Sequence, residues 1–482
     1  MHSLHSAYAA DQLAARLVEV NGRPERADGD FVLYWMQAFH RLDDNWAFRH
    51  AVREADRLGK PLVVHQGLDP VYPFASDRIH HFVLHGARET AARAAELGVH
   101  YQFVLRRRRS DDRRVVDRIA ERAALVVTDL YPTAGIRERT ARLAARVSVR
   151  VVEVDAFGIV PASLFPKEEY AARTIRPKLA RVRAHFLEPV ETRGARTALP
   201  AGARRALGDA TGIAPVALAT ADLAAEIAAC AIDHAVPPAP LVPGREAALA
   251  RLAHFLDTGF GAYDTRRREP ADDDGSSRLS PYLHFGQLGS AELARAVLER
   301  GPAEQAEAYL DEACTWRELA LNYCLRNPDH QSLRALPAWA RESLETHRSD
   351  PREHLYTIEQ LERGQTHDRL WNAAQQELVS SGQLHNTMRQ IWGKSILLWT
   401  RDADDALAAL LTLNDRWALD GRDPNSYTNI LWCFGKFDRP FQERPILGKI
   451  RPISLARAWK KFDLDPYVAR WGREDTPLTL EL

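Results

Sequence analysis

The feature that most constrains the fold is a change in hydrophobic periodicity along the chain. Between residues 31 and 160, short apolar runs at 31–35, 61–64, 124–127 and 149–152 alternate with Ala- and Arg-rich stretches of helical spacing. Such alternation predicts parallel β-α-β units and therefore a doubly wound α/β sheet domain. No G-x-G-x-x-G follows the first run, so the dinucleotide fingerprint of Rossmann domains is missing.

After Gly244 the chain instead carries long stretches of apolar residues at helical spacing. Helices are predicted over 366–381, where Gly382 is a natural stop, and over 384–399. We therefore predict an α/β domain at 1–185, a linker at 186–243 and an all-α domain at 244–482. The first of the later helices would bury one face, made of Ala248, Leu249, Leu252, Phe255 and Leu256.

The chain carries 65 basic and 65 acidic residues, so its formal net charge is zero. That balance argues against a wholly basic nucleic-acid-binding protein but leaves room for a local basic face. The four cysteines are scattered without a CxxC pair, which argues against a disulfide framework or a zinc site. The chain also lacks an apolar run of membrane-spanning length and a secretory signal, so we expect a cytoplasmic protein with no membrane segment.

Nine of the eleven tryptophans lie after residue 300. On the helix predicted at 384–399, His385, Arg389, Trp392, Ile396 and Trp399 recur at steps of four and three residues and therefore share a face. These rings either fill a helical core or form a chain of oxidisable groups near a redox cofactor. Spacing alone does not separate the two interpretations.

Two shorter patterns also allow a functional and a structural interpretation. A hydroxyl-rich segment at 276–280 precedes a proline, and it suits either a phosphate site or an ordinary helix cap. Glu312 and Trp316 suit a flipped-out base, the carboxylate by hydrogen bonding and the ring by stacking. A surface carboxylate beside a core tryptophan is the alternative. The acidic residues between 415 and 423 do not predict a metal site, because Arg416 and Arg422 compete for the carboxylates.

Five segments, in order along the chain, resemble the photolyase/cryptochrome family and specifically its class II branch. They are EYAARTIR at 169–176, SRLSPYLHFG at 277–286, THDRLWNAAQ at 366–375, HNTMR at 385–389 and LDGRDPN at 419–425. The match spans roughly residues 30–460. The resemblance implies a doubly wound antenna domain followed by an all-α domain that holds FAD.

The activity implied by the resemblance is light-driven repair of cyclobutane pyrimidine dimers in DNA, with an electron supplied by excited reduced FAD. A cryptochrome-like flavin photoreceptor and a photolyase with another lesion preference are the alternatives. The implied partner is UV-damaged DNA, bound by a monomer, and a deazaflavin-type antenna pigment is left open. The resemblance assigns FAD binding to Tyr263, Ser276, Ser277, Arg278, Leu279, Ser280, Gln287, Arg317, Asn386, Arg389, Asn414, Asp420 and Arg422.

Within this set, Arg389 would pair with Asp420 beside the flavin ring, and Asn414 would face the flavin N5 atom. The positive charge of Arg389 would favour the anionic reduced flavin. The same resemblance favours the redox interpretation of the tryptophans. It implies an electron relay whose members would be Trp392, Trp371, Trp399 and Tyr356.

The resemblance also implies a lesion pocket formed by Glu312, Trp316 and Trp432, with Asn414 as a further catalytic residue. The sequence departs from the family pattern on this side, since Gln390 stands where Met is usual and Arg268 where Asn is usual. Pro452 and Ile453 likewise replace a usual Tyr-Met pair. A changed lesion preference therefore stays open. Contacts to DNA or to the lesion would come from Arg267, Arg268, Gln390, Arg439, Arg444 and Arg451.

Overall fold

The computed structural model describes residues 12–472 and contains one sheet of six strands in the order β1-β6-β5-β2-β3-β4. All neighbouring strands are parallel except β1, which pairs antiparallel with β6 at one edge. The strand order reverses between β2 and β5, as it does in doubly wound sheets. The predicted fold class is confirmed. The strands are β1 (Leu17–Glu19), β2 (Phe31–Met36), β3 (Leu62–Leu68), β4 (His100–Leu105), β5 (Ala123–Asp129) and β6 (Val151–Val154).

Each of the four apolar runs contributes to one strand, but the runs did not reveal β1 or β4. In β4 the polar residues His100 and Gln102 interrupt the apolar pattern, although Gln102 is buried together with residues 103–105. β1 has three residues, too few for a periodic signal. Both strands are held by pairing with neighbours that are distant in sequence.

Helices cover both faces of the sheet, as parallel crossovers require. The first begins after Asn45, whose side chain accepts hydrogen bonds from two main-chain N–H groups of the first turn. It ends at Gly59, where φ is 65° and glycine avoids the strain of the left-handed region. The helices of this part are α1 (Trp46–Leu58), α2 (Asp77–Glu96), α3 (Val115–Ala120), α4 (Ile136–Arg146) and α5 (Ala172–Val182).

The stretch predicted as a linker contains two short helices, α6 (Ala201–Thr211) and α7 (Leu223–Ala228). It packs back on the sheet-bearing part instead of extending into solvent. Val216 donates a main-chain hydrogen bond to the Phe103 carbonyl, and Asp233 forms a bridge with Ser76.

The remainder of the described chain is helical. These helices are α8 (Arg245–Thr258), α9 (Tyr263–Arg266), α10 (Ser280–His284), α11 (Ser290–Arg300), α12 (Ala303–Leu310), α13 (Trp316–Arg326), α14 (Ala338–Thr346), α15 (Ile358–Glu362), α16 (Arg369–Ser381), α17 (Asn386–Trp399), α18 (Ala403–Trp417), α19 (Pro424–Cys433), α20 (Leu455–Lys461) and α21 (Asp465–Trp471). A π-helical turn, Asp311–Thr315, separates α12 from α13. None of the helices between residues 12 and 472 combines the length and apolar character that a bilayer crossing needs.

The two helices predicted at 366–381 and 384–399 are present as α16 and α17, each starting two or three residues later. Asp368 caps α16 by accepting from the Trp371 N–H, and Gly382 ends it with a φ of 71°. The face predicted for α8 is buried at 248, 252 and 255, whereas Leu249 is 36% exposed.

The sheet-bearing and helical parts share a hydrophobic core that contains Phe82 and Phe103 from one and Phe255 from the other. Polar contacts cross the same boundary. Arg78, on α2, is buried and donates to the carbonyls of residues 378, 379 and 417 at the ends of α16 and α18. The domain boundaries at 185 and 243 therefore stay predictions.

Candidate active site

A cavity of about 750 Å³ opens in the helical part. Its lining combines two predicted sets of residues, which interleave along the chain between residues 263 and 432. From the predicted FAD set it includes Tyr263, Ser276, Ser277, Arg278, Leu279, Ser280, Arg317, Asn386, Arg389 and Asp420. From the predicted lesion and DNA set it includes Glu312, Trp316, Trp432, Arg267, Arg268 and Gln390.

The hydroxyl-rich segment forms a loop that leads into the short helix α10. Arg278 has a φ of 52°, and its guanidinium contacts Asp273 at 3.1 Å. Ser277 Oγ accepts a hydrogen bond from the Tyr309 hydroxyl at 2.8 Å. Gln383, from the turn between α16 and α17, donates to the Arg278 carbonyl and so ties this loop to the helices on the other side of the cavity.

Arg389, on α17, is fixed by two partners on neighbouring elements. Its Nη2 contacts the Asp420 carboxylate at 3.0 and 3.2 Å, and its Nη1 donates to Asn414 Oδ1 at 3.1 Å. Asn414 Nδ2 in turn donates to Asp415 at 2.9 Å, which sets the orientation of the amide. Asn414 is 3% exposed and lines a small void that adjoins the cavity beside Arg389 and Trp392.

Three residues of the predicted FAD set do not line this cavity: Asn414 lines the adjoining void, whereas Gln287 and Arg422 point elsewhere, and their assignment to FAD binding stays a prediction. The Gln287 amide is buried against α2, where it accepts from the Gly244 N–H and donates weakly to the Phe82 carbonyl. Arg422 has a φ of 65°, which turns its side chain away from Asp420 into a cluster of main-chain carbonyls. Both side chains stabilise the fold around the cavity.

A buried polar cluster that the sequence did not predict lies behind Arg317. The guanidinium of Arg317 contacts both oxygens of Asp423 at 3.4 Å, and Asp423 also contacts His284 and the Tyr131 hydroxyl. Burial opposes ionisation of Asp423, but Arg317 and His284 outweigh it and hold the pKa of this carboxyl well below its usual range. Asp423 and His284 belong to the family-like motifs at 419–425 and 277–286. Their place in these motifs is the sequence signal that could have identified the cluster.

The lesion side of the cavity has an irregular helix at its wall. Glu312 lies in the π-helical turn and Trp316 begins α13, so the two do not belong to one regular α-helix. π-turns of this kind are frequent at functional sites. Glu312 accepts a hydrogen bond from Arg267 at 2.6 Å, and Trp432 is partly exposed above the buried Lys394 ammonium, 4.9 Å from the ring centroid.

Several buried polar atoms at this cavity have no hydrogen-bond partner among residues 12–472. They are His385 Nε2 and the Nε atoms of Arg267, Arg278 and Arg317. Buried polar atoms are nearly always paired, so these four are consistent with a polar ligand. With the volume of the cavity, they fit an anionic, nucleotide-sized group. His385 caps α17 through Nδ1, which accepts from the Thr387 N–H.

The four residues predicted as an electron relay form a continuous series of ring contacts. The ring centroids of Trp392 and Trp371 are 6.4 Å apart with 7° between planes. Trp399 follows at 5.6 Å from Trp371, and Tyr356 at 5.8 Å from Trp399. Trp392 lines the void beside Arg389, so one end of the series reaches the candidate site.

The charge balance around the cavity differs from that of the whole chain. Seven of the ten charged side chains that line it within the described residues are basic. An adjoining open groove, beside Gln390 and Trp432, is lined by Arg444, Arg451 and Arg457. Arg439 lines neither and lies over the Phe441 ring at 4.7 Å. A local basic face, which the zero net charge of the chain did not exclude, is therefore present at the opening of this cavity.

A second cavity, of about 520 Å³, lies at the carboxyl ends of β2, β3 and β5. This is the point where strand order reverses, the usual ligand position in doubly wound folds. Tyr131 and His284 line it and connect it through Asp423 to Arg317 in the first cavity.

Comparisons with known proteins agree with this architecture. Residues 32–196 match the family model described as DNA photolyase. A deoxyribodipyrimidine photo-lyase of Methanothermobacter thermautotrophicus is 34% identical, over 95% of this chain and 98% of that protein. The protein of the same name from Oryza sativa subsp. japonica is 35% identical over 92% and 87%, and that from Potorous tridactylus 34% over 92% and 81%.

Two solved structures share the fold. A bacterial class III photolyase from Agrobacterium tumefaciens superposes with a TM-score of 0.66 at 19% identity, covering 92% of this chain and 86% of that one. An archaeal photolyase from Sulfolobus tokodaii with two FAD molecules gives 0.64 at 16% identity, covering 93% and 92%. At these identities the two structures bear on the fold alone.

Proposed function

The chain belongs to the DNA photolyase family, and from that premise we propose that it repairs cyclobutane pyrimidine dimers in UV-damaged DNA as a class II enzyme using light and FAD. One observation carries the proposal. The Arg389–Asp420 pair and the residues Glu312, Trp316 and Trp432 border one cavity, although they come from distant parts of the chain. A cofactor held by the first set would therefore be within reach of a base bound by the second.

The residues present fit FAD. Arg278, the serines of 276–280 and the unpaired His385 Nε2 would hold its phosphates and sugars, since they combine charge with hydroxyl and ring donors. Arg389 and Asn414 would border its ring system. FAD bound there would supply, when reduced and excited by light, the electron that opens the cyclobutane ring.

The protein's own contribution is to bind the lesion and hold charges in place. Trp316 and Trp432 are partly exposed at the cavity and offer flat faces for a flipped-out dimer. Arg267 orients the Glu312 carboxylate, which would accept hydrogen bonds from the pyrimidine ring. The Arg389 cation is held between Asp420 and Asn414, so it stays in position without rearrangement as negative charge develops nearby.

A related function with another lesion preference is the second candidate. Gln390 and Arg268, the two departures from the family pattern, both line the cavity beside the proposed lesion residues. Their polar ends would contact whatever lesion enters. The cavity at the switch point of the sheet is the proposed place for an antenna pigment of the deazaflavin type.

The test is an absorption spectrum of the purified protein, followed by blue-light repair of a defined thymine dimer and of a (6-4) photoproduct. We expect FAD release on denaturation and repair of the cyclobutane dimer with reduced FAD. Arg389→Leu should reduce FAD retention, whereas Arg401→Leu, at an exposed position 80% accessible on its side chain, should not.

Each alternative predicts a different result. Protein that neither carries FAD nor can be loaded with it would overturn the cofactor and the repair function together. Repair of the (6-4) lesion alone would establish the second candidate. Bound, photoreducible FAD without repair of either lesion would indicate a photoreceptor.

A further inference from the structure

We propose that Tyr356 and His367 form the outer end of the tryptophan relay, with Tyr356 giving an electron to oxidised Trp399 and its phenolic proton to His367 Nδ1. The inference rests on the proposed function, because a bound flavin, oxidised and photoexcited, is the oxidant that starts the relay. The resemblance named Tyr356 as a further relay member and assigned no residue to receive its proton.

The geometry joins the two residues through two hydrogen bonds. The Tyr356 hydroxyl oxygen is 2.7 Å from His367 Nδ1 and 3.0 Å from the main-chain N of His367. The main-chain N–H can only donate, so the hydroxyl oxygen accepts that bond. The phenolic proton can then be given to Nδ1, which accepts in the neutral imidazole tautomer that carries its proton on Nε2.

The surroundings of His367 favour the neutral imidazole before electron transfer. The pKa of His367 lies below its ordinary value of 6.5, because partial burial and the neighbouring His354 disfavour the cation. The His354 ring is stacked on it with centroids 3.8 Å apart. Asp368 and Glu353 oppose this effect and would stabilise the imidazolium once it forms.

The step balances within these three side chains. One electron passes from the Tyr356 phenol to the Trp399 radical cation, and the O–H bond breaks as its proton moves to His367 Nδ1. The products are neutral Trp399, a neutral tyrosyl radical and the His367 imidazolium. Without a base at Nδ1, Tyr356 would have to become a strongly acidic radical cation, which makes the electron transfer unfavourable.

The relay runs from the interior to the surface in the order that this step requires. Trp371 and Trp392 are 0% and 2% exposed, Trp399 is 6% exposed, and Tyr356 is half-buried. His367 is exposed and can release its proton to water. The tyrosyl radical therefore forms at the outer end of the relay, away from the flavin, where an external reductant can reach it.

The experiment is flash excitation of the FAD-loaded protein, with tryptophan and tyrosyl radicals followed by transient absorption in H₂O and D₂O across a pH series. Wild type should form a tyrosyl radical with a solvent isotope effect. The rate should fall as pH drops through the His367 pKa, because a protonated imidazole cannot accept. His367→Gln keeps an acceptor oxygen that is too weakly basic, so tyrosyl formation should slow by about a hundredfold.

The control variants separate this inference from the proposed function. Tyr356→Phe should form tryptophan radicals and no tyrosyl radical, whereas Tyr170→Phe, at a residue 53% exposed, should match wild type. Nitrogen NMR in the dark, with and without flavin, should find Nδ1 of His367 unprotonated near neutral pH. Tyrosyl formation in His367→Gln at the wild-type rate, or a protonated Nδ1, would overturn the inference alone. Absence of any tryptophan radical in flavin-loaded protein would overturn the relay and this inference with it.

Discussion

The indole rings of Trp371 and Trp392 are stacked almost in parallel, although they belong to different helices. Two hydrogen bonds fix the arrangement: Trp371 Nε1 donates to the Trp392 carbonyl at 3.0 Å, and Trp392 Nε1 donates to Gln375 Oε1 at 2.9 Å. Neither ring can rotate without leaving a buried donor unpaired, which costs about 1–3 kcal/mol. The overlap between the two rings is therefore a fixed property of the fold.

Trp371→Phe should keep FAD bound but interrupt photoreduction, because a phenyl ring is much harder to oxidise than an indole. We expect photoreduction to slow at least roughly tenfold, which is a barrier change of about 1.4 kcal/mol. Repair with chemically reduced FAD should be spared. Trp417→Phe is the matched control, since this buried indole lies over Arg78 and outside the relay. Equal photoreduction in both variants would place the relay elsewhere.

Glu312→Ala should reduce repair more than Gln390→Met. Gln390 offers one replaceable polar contact, worth about 1 kcal/mol, so its loss should leave repair within roughly tenfold. Loss of Glu312 removes the proposed partner of the dimer and leaves Arg267 without its carboxylate. Steady-state repair rates under saturating light measure the difference, and a Glu312→Ala protein with unchanged rates would exclude this residue from the lesion pocket.

The structure adds a coupling between Arg267 and Glu312 that the sequence did not indicate. Because Arg267 holds the carboxylate in place, Arg267→Ala should reproduce part of the Glu312→Ala defect. The double variant should then be less impaired than the two single effects combined, as expected for residues in contact. Additive losses in a double-mutant cycle would show that the two side chains act independently.

DNA binding should weaken steeply with added salt, because basic residues dominate the cavity opening. Arg444→Ala, in the adjoining groove, should lower affinity for damaged and undamaged DNA alike and reduce the slope against salt by about one. Arg401→Ala, at an exposed position just before α18, serves as the control. A flat salt dependence in the wild type would argue against a DNA-binding role for this face.

Glu318 should make stability depend on pH. This buried carboxylate accepts hydrogen bonds from the N–H groups of Ile159 and Val160 at 2.6 and 3.0 Å. Burial still raises its pKa from 4.5 to about 7, so the folded protein binds a proton that the unfolded chain releases. The resulting stability is fully present below pH 4.5 and is lost as pH rises through 7.

Relative to Glu318→Gln, the wild type should lose on the order of 3 kcal/mol of unfolding free energy across this pH range. Urea unfolding at pH values on either side of the range measures the loss. Glu353→Gln is the control, since the Glu353 side chain is 91% exposed. Parallel pH profiles for the wild type and Glu318→Gln would contradict the assignment.

The sequence predicted the elements with strong local signals and missed those decided by distant contacts. The run at 31–35 became the buried centre of the sheet, and Gly382 ended α16 as expected. Gln287 and Arg422 are close in sequence to segments that line the cavity, and for that reason the sequence predicted that they would line it as well. Their actual directions depend on Gly86, against which the Gln287 amide packs, and on a positive φ at Arg422.

The π-helical turn at Asp311–Thr315 could not be predicted from the sequence pattern for a related reason. A regular 3.6-residue period fits α12 and α13 separately, and the extra residue between them leaves no signature in the apolar pattern. The Tyr356–His367 contact is likewise not encoded in local spacing, because it depends on the loop before α15 folding against Trp399.

Arg78 shows that the helical part is not a free-standing unit. Helices normally satisfy their last carbonyls by capping within their own chain segment. Here one guanidinium from the sheet-bearing part supplies donors and positive charge to the carboxyl ends of both α16 and α18, which carry Trp371 and Asn414. A truncated protein that begins near residue 244 would expose those ends, and α18 would fray from the end that carries Asn414.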